Sequence, residues 1–85
     1  MVKINGFDYQ LSQRKNKKLK VFVNGKWVHF GDSRYENFKD KTHLLPVSYN
    51  HYDARRRHNY LRRAAGLGGV NDPNSANYHA MRILW

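Results

Sequence analysis

The fold of this chain is decided by the segment Lys20-Val21-Phe22-Val23-Asn24-Gly25-Lys26-Trp27-Val28-His29-Phe30. Asn24-Gly25 separates two alternating apolar runs, and Asn-Gly supplies the positive φ angles that a two-residue type I′ turn requires. Such a short turn fixes the register, so Phe22 should lie opposite Trp27 and Val21 opposite Val28. We therefore predict a β-hairpin with two different faces. The apolar face comprises Leu19, Val21, Val23, Val28 and Phe30, and the other face comprises Lys20, Phe22, Trp27 and His29.

Toward the N-terminus, a second Asn-Gly pair predicts a second hairpin. Asn5-Gly6 divides the short strand 2–4 from the strand 7–11. The connector 12–18 between the hairpins is basic, which predicts an exposed loop that either binds phosphate or only solubilises the chain. An isolated hairpin is marginally stable in water, so we also expect a covering helix. The cationic residues of the connector that we take as candidate phosphate ligands are Arg14, Lys15, Lys17 and Lys18.

The aromatic face of the central hairpin has two interpretations. Phe22 and Trp27, flanked by basic residues, could form a platform on which the bases of a single strand stack. Alternatively, the C-terminal segment covers this face, because a domain poor in aliphatic residues needs its large aromatics in the core. We favour the second interpretation and predict that Trp27 and Trp85 are both buried.

The segment after the hairpin contains a helix signal and a helix breaker. Ser33 and Glu36 have the spacing of a capping box, which predicts a short helix over residues 34–39. Pro46 argues against a helix through the apolar stretch 44–47. There we expect an irregular segment whose apolar side chains enter the core. These side chains are Leu44, Leu45 and Val47.

The best helix signal runs from Asp53 to Ala65. Asp53 is a suitable N-cap, Gly66 a suitable C′ residue, and no proline or glycine interrupts the segment. At 100° per residue, one polar stripe is almost wholly arginine, and Arg57 lies at its border, where we expect a structural role. The stripe comprises Arg55, Arg56, Asn59, Arg62 and Arg63. The opposite face, which should pack on the core, comprises Ala54, Leu61, Ala64 and Ala65.

The arginine stripe is the sharpest candidate for function. Guanidinium groups bind phosphate bidentately and stay charged near neutral pH. The alternative is an ordinary solvated face, but such a face usually mixes both signs, and Asp53 is the only acidic residue between positions 41 and 71. The candidate nucleic-acid ligands are therefore Arg55, Arg56, Arg62 and Arg63, together with the connector residues above.

A last helix should follow the glycine-rich stretch 66–69. Asp72 with Pro73 at the first helical position is a sound start, and Ser75 offers an alternative cap. The side chains expected to dock on the sheet are Tyr78, Met81, Leu84 and Trp85. The chain is thus predicted to be one small α+β domain over residues 1–85, with its hairpins packed against a basic amphipathic helix and a C-terminal helix.

Composition limits the function. Sixteen Lys and Arg against six Asp and Glu give a net charge of +10 in 85 residues, which favours an acidic partner, first of all nucleic acid. The chain has no cysteine, and we expect neither a signal peptide nor a membrane-spanning run. A metal-dependent nuclease built on His51, Asp53 and His58, with Asp40 or Asp72 added, would lack any known ligand motif. We therefore expect no enzymatic activity, no cofactor, no metal, no membrane partner and no small-molecule substrate.

Several motifs together resemble a family of small, largely uncharacterised proteins from tailed bacteriophages and giant DNA viruses. They are His29-Phe30-Gly31, the helix pattern Asp53, Arg56-Arg57, Tyr60 and Arg63, and the closing Leu84-Trp85. The resemblance covers residues 17–85, so residues 1–16 are expected to be an individual extension. The family often has Arg-His after the Tyr, whereas Ala64 follows Arg63 here.

The resemblance implies a viral origin. It favours a structural or packaging component of a virus particle that contacts nucleic acid and viral structural proteins. A free nucleic-acid-binding accessory protein in the infected cell is the alternative, and an inhibitor of a host protein is a weaker third. The expected location is accordingly the virus particle or the host cytoplasm.

Overall fold

A computed structural model, which describes residues 2–85, shows one antiparallel sheet followed by two helices. β1 (Val2–Ile4), β2 (Phe7–Leu11), β3 (Lys17–Val23) and β4 (Lys26–Asp32) lie side by side in sequence order. The predicted α+β class is therefore confirmed. Met1, the first residue of the predicted domain, lies outside the described residues.

Both predicted hairpins are present. Asn24 and Gly25 have φ angles of 49° and 80°, and Phe22 pairs with Trp27 as the two-residue turn requires. The turn at Asn5-Gly6 joins β1 to β2. Although residues 1–16 were expected to be an extension, β2 pairs with β3 and its Tyr9 is buried in the core. The N-terminal hairpin is thus an integral part of the sheet.

The C-terminal segment covers the apolar face of the sheet. α2 (Ala76–His79) continues as a π-helical turn over Ala80–Leu84, in which the Trp85 N–H donates to the Ala80 carbonyl at 3.2 Å. The predicted start at Asp72 is wrong, because Asp72 closes a turn, but the alternative cap, Ser75, is confirmed. Of the predicted docking stripe only Leu84 is fully buried, since the wider π-helical turn changes which side chains face the sheet. The residues of this segment that are buried are His79, Ala80, Ile83 and Leu84.

The basic helix, α1 (Ala54–Leu67), contacts the C-terminal segment through Tyr60, Arg57 and the Ala64 carbonyl. Asp53 is its N-cap, as predicted, but the helix runs two residues past Ala65 and ends at Gly68, whose φ is 84°. Ala64 is its one fully buried residue, so the expected packing of Ala54 and Ala65 is wrong. The Tyr60 ring stacks on Trp85 with centroids 4.1 Å apart. Arg57 donates from Nε to the Trp85 main-chain oxygen at 2.7 Å, which confirms its structural role.

The segment between β4 and α1 contains no helix at residues 34–39, so that prediction is wrong. The carboxylate of Asp32 accepts from the Arg34 N–H and pairs with its guanidinium, which forms a turn instead. Farther along, the Asn37 N–H donates to the Tyr49 carbonyl, and this pairing holds the segment extended. Val47 is 79% exposed, contrary to expectation. Leu44 and Leu45 pack against the core as predicted.

A buried polar network fastens this segment to the sheet. Lys18 donates from Nζ to Asn37 Oδ1 at 2.9 Å, and Asn37 donates from Nδ2 to Asn50 Oδ1 at 2.8 Å. The same Asn50 oxygen accepts the Asp40 N–H. Asp40 is 1% exposed and its carboxylate accepts from the Thr42 N–H, the Thr42 hydroxyl and the Leu45 N–H. Side chains thereby accept hydrogen bonds from main-chain N–H groups in a stretch that has little regular structure.

Candidate nucleic-acid interface

The α1 arginine face, which comprises Arg55, Arg56, Asn59, Arg62 and Arg63, is exposed along its whole length. Within residues 2–85 the ion pairs are Arg34 with Asp32 and Arg56 with Glu36, the latter at 3.0 Å. Arg55, Arg62 and Arg63 therefore have no carboxylate within 4 Å in the part of the chain that the structure describes. Three guanidinium groups on this face are free to contact an anion.

A groove runs along one side of α1, and only some residues of the α1 arginine face line it. It has a volume of about 610 Å³ and separates α1 from the end of β4 and the C-terminal segment. Arg56 and Arg63 line it from α1, whereas Glu36 and Asp32 line it from the other side. Arg55 and Arg62 lie outside this groove. The groove thus carries both signs of charge, and the open part of the α1 arginine face is purely cationic.

The basic connector is only partly available. Arg14 and Lys15 are exposed in the turn between β2 and β3, and Lys17 is half-buried as the first residue of β3. The prediction for Lys18 is wrong, because this side chain is 5% exposed and its Nζ lies 4.9 Å from the Tyr49 ring centroid. Burial lowers the pKa of Lys18 to about 8. Lys18 therefore belongs to the buried network and not to a phosphate-binding surface.

The second face of the central hairpin is open to solvent. We define the sheet outer face as Lys20, Phe22, Trp27 and His29. Phe22 is 45% and Trp27 39% exposed, so the predicted burial of Trp27 is wrong. The C-terminal segment cannot cover this face because it already covers the opposite one. Trp85 is half-buried through its stack on Tyr60, in partial agreement with the prediction.

Basic groups surround the rings of the sheet outer face. Lys20 Nζ lies 4.4 Å from the Trp27 ring centroid, and the two aromatic rings meet edge to face at 5.2 Å. Ser12 Oγ lies 2.7 Å from His29 Nδ1. Burial, followed by the charges of Arg14, Lys20 and Lys17, lowers the pKa of His29. Part of the connector therefore contributes positive charge to this face.

Three of the residues considered for a metal site, Asp40, His51 and Asp53, make structural hydrogen bonds. Asp53 accepts the N–H groups of Arg55 and Arg56, and His51 Nδ1 accepts the Asp53 N–H at 2.9 Å. Asp40 is occupied in the buried network. Among residues 2–85 no three His, Asp or Glu side chains are placed to share a metal ion. No helix in the same range has the length and apolar character needed to cross a membrane.

Comparison with known proteins gives a partial family match. Residues 8–43, from β2 into the segment that follows β4, match the model of a family of unknown function, DUF5754. The match takes in both strands of the central hairpin but covers fewer than half of the 85 residues and ends before α1. Searches of the curated proteins and of the solved structures each found no significant match.

Proposed function

We propose that this protein is a non-enzymatic nucleic-acid-binding protein that contacts the phosphate backbone without reading sequence. The observation that carries the proposal is the α1 arginine face, where Arg55, Arg62 and Arg63 are exposed and have no acidic partner among residues 2–85. In a chain of net charge +10, such a face attracts a polyanion. A guanidinium binds phosphate through two parallel N–H donors, and a nucleic-acid backbone repeats such phosphates along its length.

The spacing along α1 suits a repeating anion. Arg55 and Arg62 are separated by about 10 Å along the helix axis at 1.5 Å per residue. They can therefore contact different phosphates of one backbone. Duplex binding by three such contacts contributes a slope of about −2.7 to the logarithm of affinity against the logarithm of salt concentration. Backbone contacts of this kind fix position and carry no sequence information.

The experiment is a salt series with a fluorescein-labelled 20-base-pair duplex, read by anisotropy. We compare the wild type with Arg55→Gln/Arg62→Gln and with the charge-matched control Lys26→Gln/Lys39→Gln, whose side chains are also exposed but do not belong to α1. The arginine variant should stay folded, because exposed substitutions usually change stability by less than about 0.5 kcal/mol. Its slope should be less steep by about 1.8, whereas the control should keep most of the wild-type slope.

Two results would contradict the proposal. If the arginine variant and the lysine control lose the same amount of slope, the binding reflects net charge and not the α1 arginine face. If the wild type does not bind the duplex even at low salt, the α1 arginine face does not bind a phosphate backbone. The wider expectation of a viral particle component stays a prediction, and mass spectrometry of purified particles tests it by stoichiometric presence or absence.

A further inference from the structure

Two large aromatic side chains of this small domain lie outside its core. Phe22 and Trp27 sit opposite each other on β3 and β4, with exposures of 45% and 39%. Burying such rings is among the most stabilising contacts open to a domain with few aliphatic residues. Here the sheet instead presents both of them to solvent on the face that α2 does not cover. A cross-strand pair can stabilise the hairpin by up to about 1 kcal/mol, which is the competing structural explanation.

The charges around these rings are mainly positive. Register places Lys3, Asp8, Phe22 and Trp27 in one row across the sheet, and Gln10, Lys20 and His29 in the next. Asp8 is the one acidic residue in these rows. Lys20 lies over the Trp27 ring, and the charges of Arg14 and Lys17 reach His29 from the connector. A ligand that is anionic and also presents flat rings therefore fits this face.

We propose that the sheet outer face binds an unpaired nucleic-acid strand, whose bases stack on Phe22 and Trp27 while its phosphates contact Lys20 and Arg14. The proposal rests on the proposed function and adds the form of nucleic acid that the protein prefers. A nucleotide supplies a flat base and a charged phosphate in every repeating unit, whereas the acidic side chains of a peptide supply charge without a ring. Lys20 lies about 7 Å along β3 from Phe22, within one nucleotide's reach of the stacked ring.

Whether the nucleic acid is single-stranded or double-stranded decides which of the two protein surfaces can bind it. In a duplex, neighbouring base pairs cover the base faces, so the aromatic rings of the sheet outer face find nothing to stack on. The α1 arginine face contacts phosphates of either form. The two surfaces should therefore respond differently to substitution: α1 controls binding to both forms, and the sheet outer face controls the preference for single strands.

The experiment compares (dT)20 with a 20-base-pair duplex at one salt concentration, using the wild type, Trp27→Val and Trp27→Phe. Valine is a β-branched residue that strands favour but removes the aromatic ring, whereas phenylalanine keeps a ring. For (dT)20, Trp27→Val should bind about tenfold more weakly, as expected for the loss of one stacked base, and Trp27→Phe should retain most of the affinity. Duplex affinity should be unchanged in both variants.

Intrinsic fluorescence provides a second measurement that does not depend on the stability of Trp27→Val. Addition of (dT)20 should quench the wild type, in which Trp27 and Trp85 both emit, and should leave Trp27→Phe, which retains only Trp85, unquenched. Equal quenching of both proteins would overturn the inference. So would wild-type affinity of folded Trp27→Val for (dT)20, because Phe22 and Trp27 would then serve only as a cross-strand pair.

The two proposals fail in distinguishable ways. If Arg55→Gln/Arg62→Gln weakens duplex binding while Trp27→Val binds (dT)20 normally, the proposed function stands and the preference for single strands is wrong. If neither probe binds the wild type at low salt, both are wrong. If polyglutamate quenches Trp27 as strongly as (dT)20 does, an acidic protein is the better partner, and the inference of a nucleic-acid strand is overturned.

Discussion

Replacement of Asp40 by alanine should remove much of the stability of this domain. The carboxylate is 1% exposed and accepts from the Thr42 N–H at 2.8 Å, the Thr42 hydroxyl at 2.6 Å and the Leu45 N–H at 2.9 Å. Asp40→Ala leaves two main-chain donors without a partner, at about 1–3 kcal/mol each. We expect a loss of about 3 kcal/mol or more, a large part of the 5 kcal/mol or so typical of a marginal domain.

Urea unfolding followed by circular dichroism measures this loss. With a slope of about 1 kcal/mol per molar urea, the Asp40→Ala midpoint should fall by about 3 M. Asp40→Asn retains one carbonyl oxygen and should lose about half as much, which keeps the test informative if the alanine variant does not fold. The matched control is Asp72→Ala, whose exposed carboxylate accepts from Asn74 and whose loss should cost less than about 1 kcal/mol. An Asp40→Ala midpoint within experimental error of the control would refute this account of the network.

Two further predictions concern pH. Burial lowers the pKa of Lys18 from 10.5 to about 8, so the unfolded chain binds more protons between these values and stability should rise with pH across that window. The urea midpoint of Lys18→Met should not rise between pH 7.5 and pH 9.5. An equal rise in the wild type and the variant would show that Lys18 does not cause it. Burial also lowers the pKa of His79 below 6.5, so its contribution to stability should be lost as pH falls below that value. His79→Gln should flatten the fall between pH 7 and 5, and an unchanged fall would count against a buried neutral His79.

Local sequence signals predicted the elements that depend on local chemistry. Asn24-Gly25 determined a turn and its register, and Asp53 determined a helix start, because each acts within a few residues. The capping-box spacing of Ser33 and Glu36 failed because Asp32 and Asn37 make competing bonds, the second with a partner more than ten residues away. Such tertiary competition leaves no periodic signal in the sequence.

The candidate site shows the same limit. Exposure of the α1 arginine face follows from helical periodicity, and the structure confirms it. Which arginines remain free depends on distant acids, as the pair between Arg56 and Glu36 shows. The burial of Lys18 and the exposure of Trp27 depend on which sheet face the C-terminal segment covers. Apolar alternation in the hairpin already favoured the Leu19 face for burial, and that signal should have outweighed the general demand for aromatic residues in the core.

The most direct test of the central claim is a backbone amide NMR titration of the ¹⁵N-labelled protein with unlabelled nucleic acid. A 12-base-pair duplex should shift the signals of α1 between Arg55 and Arg63 and leave those of the buried strand residue Val21 unchanged. With (dT)12, the signals of Phe22 and Trp27 should shift as well. Shifts confined to residues outside both surfaces, or no shifts at low salt with either probe, would contradict the claim that this protein binds nucleic acid through α1 and its sheet.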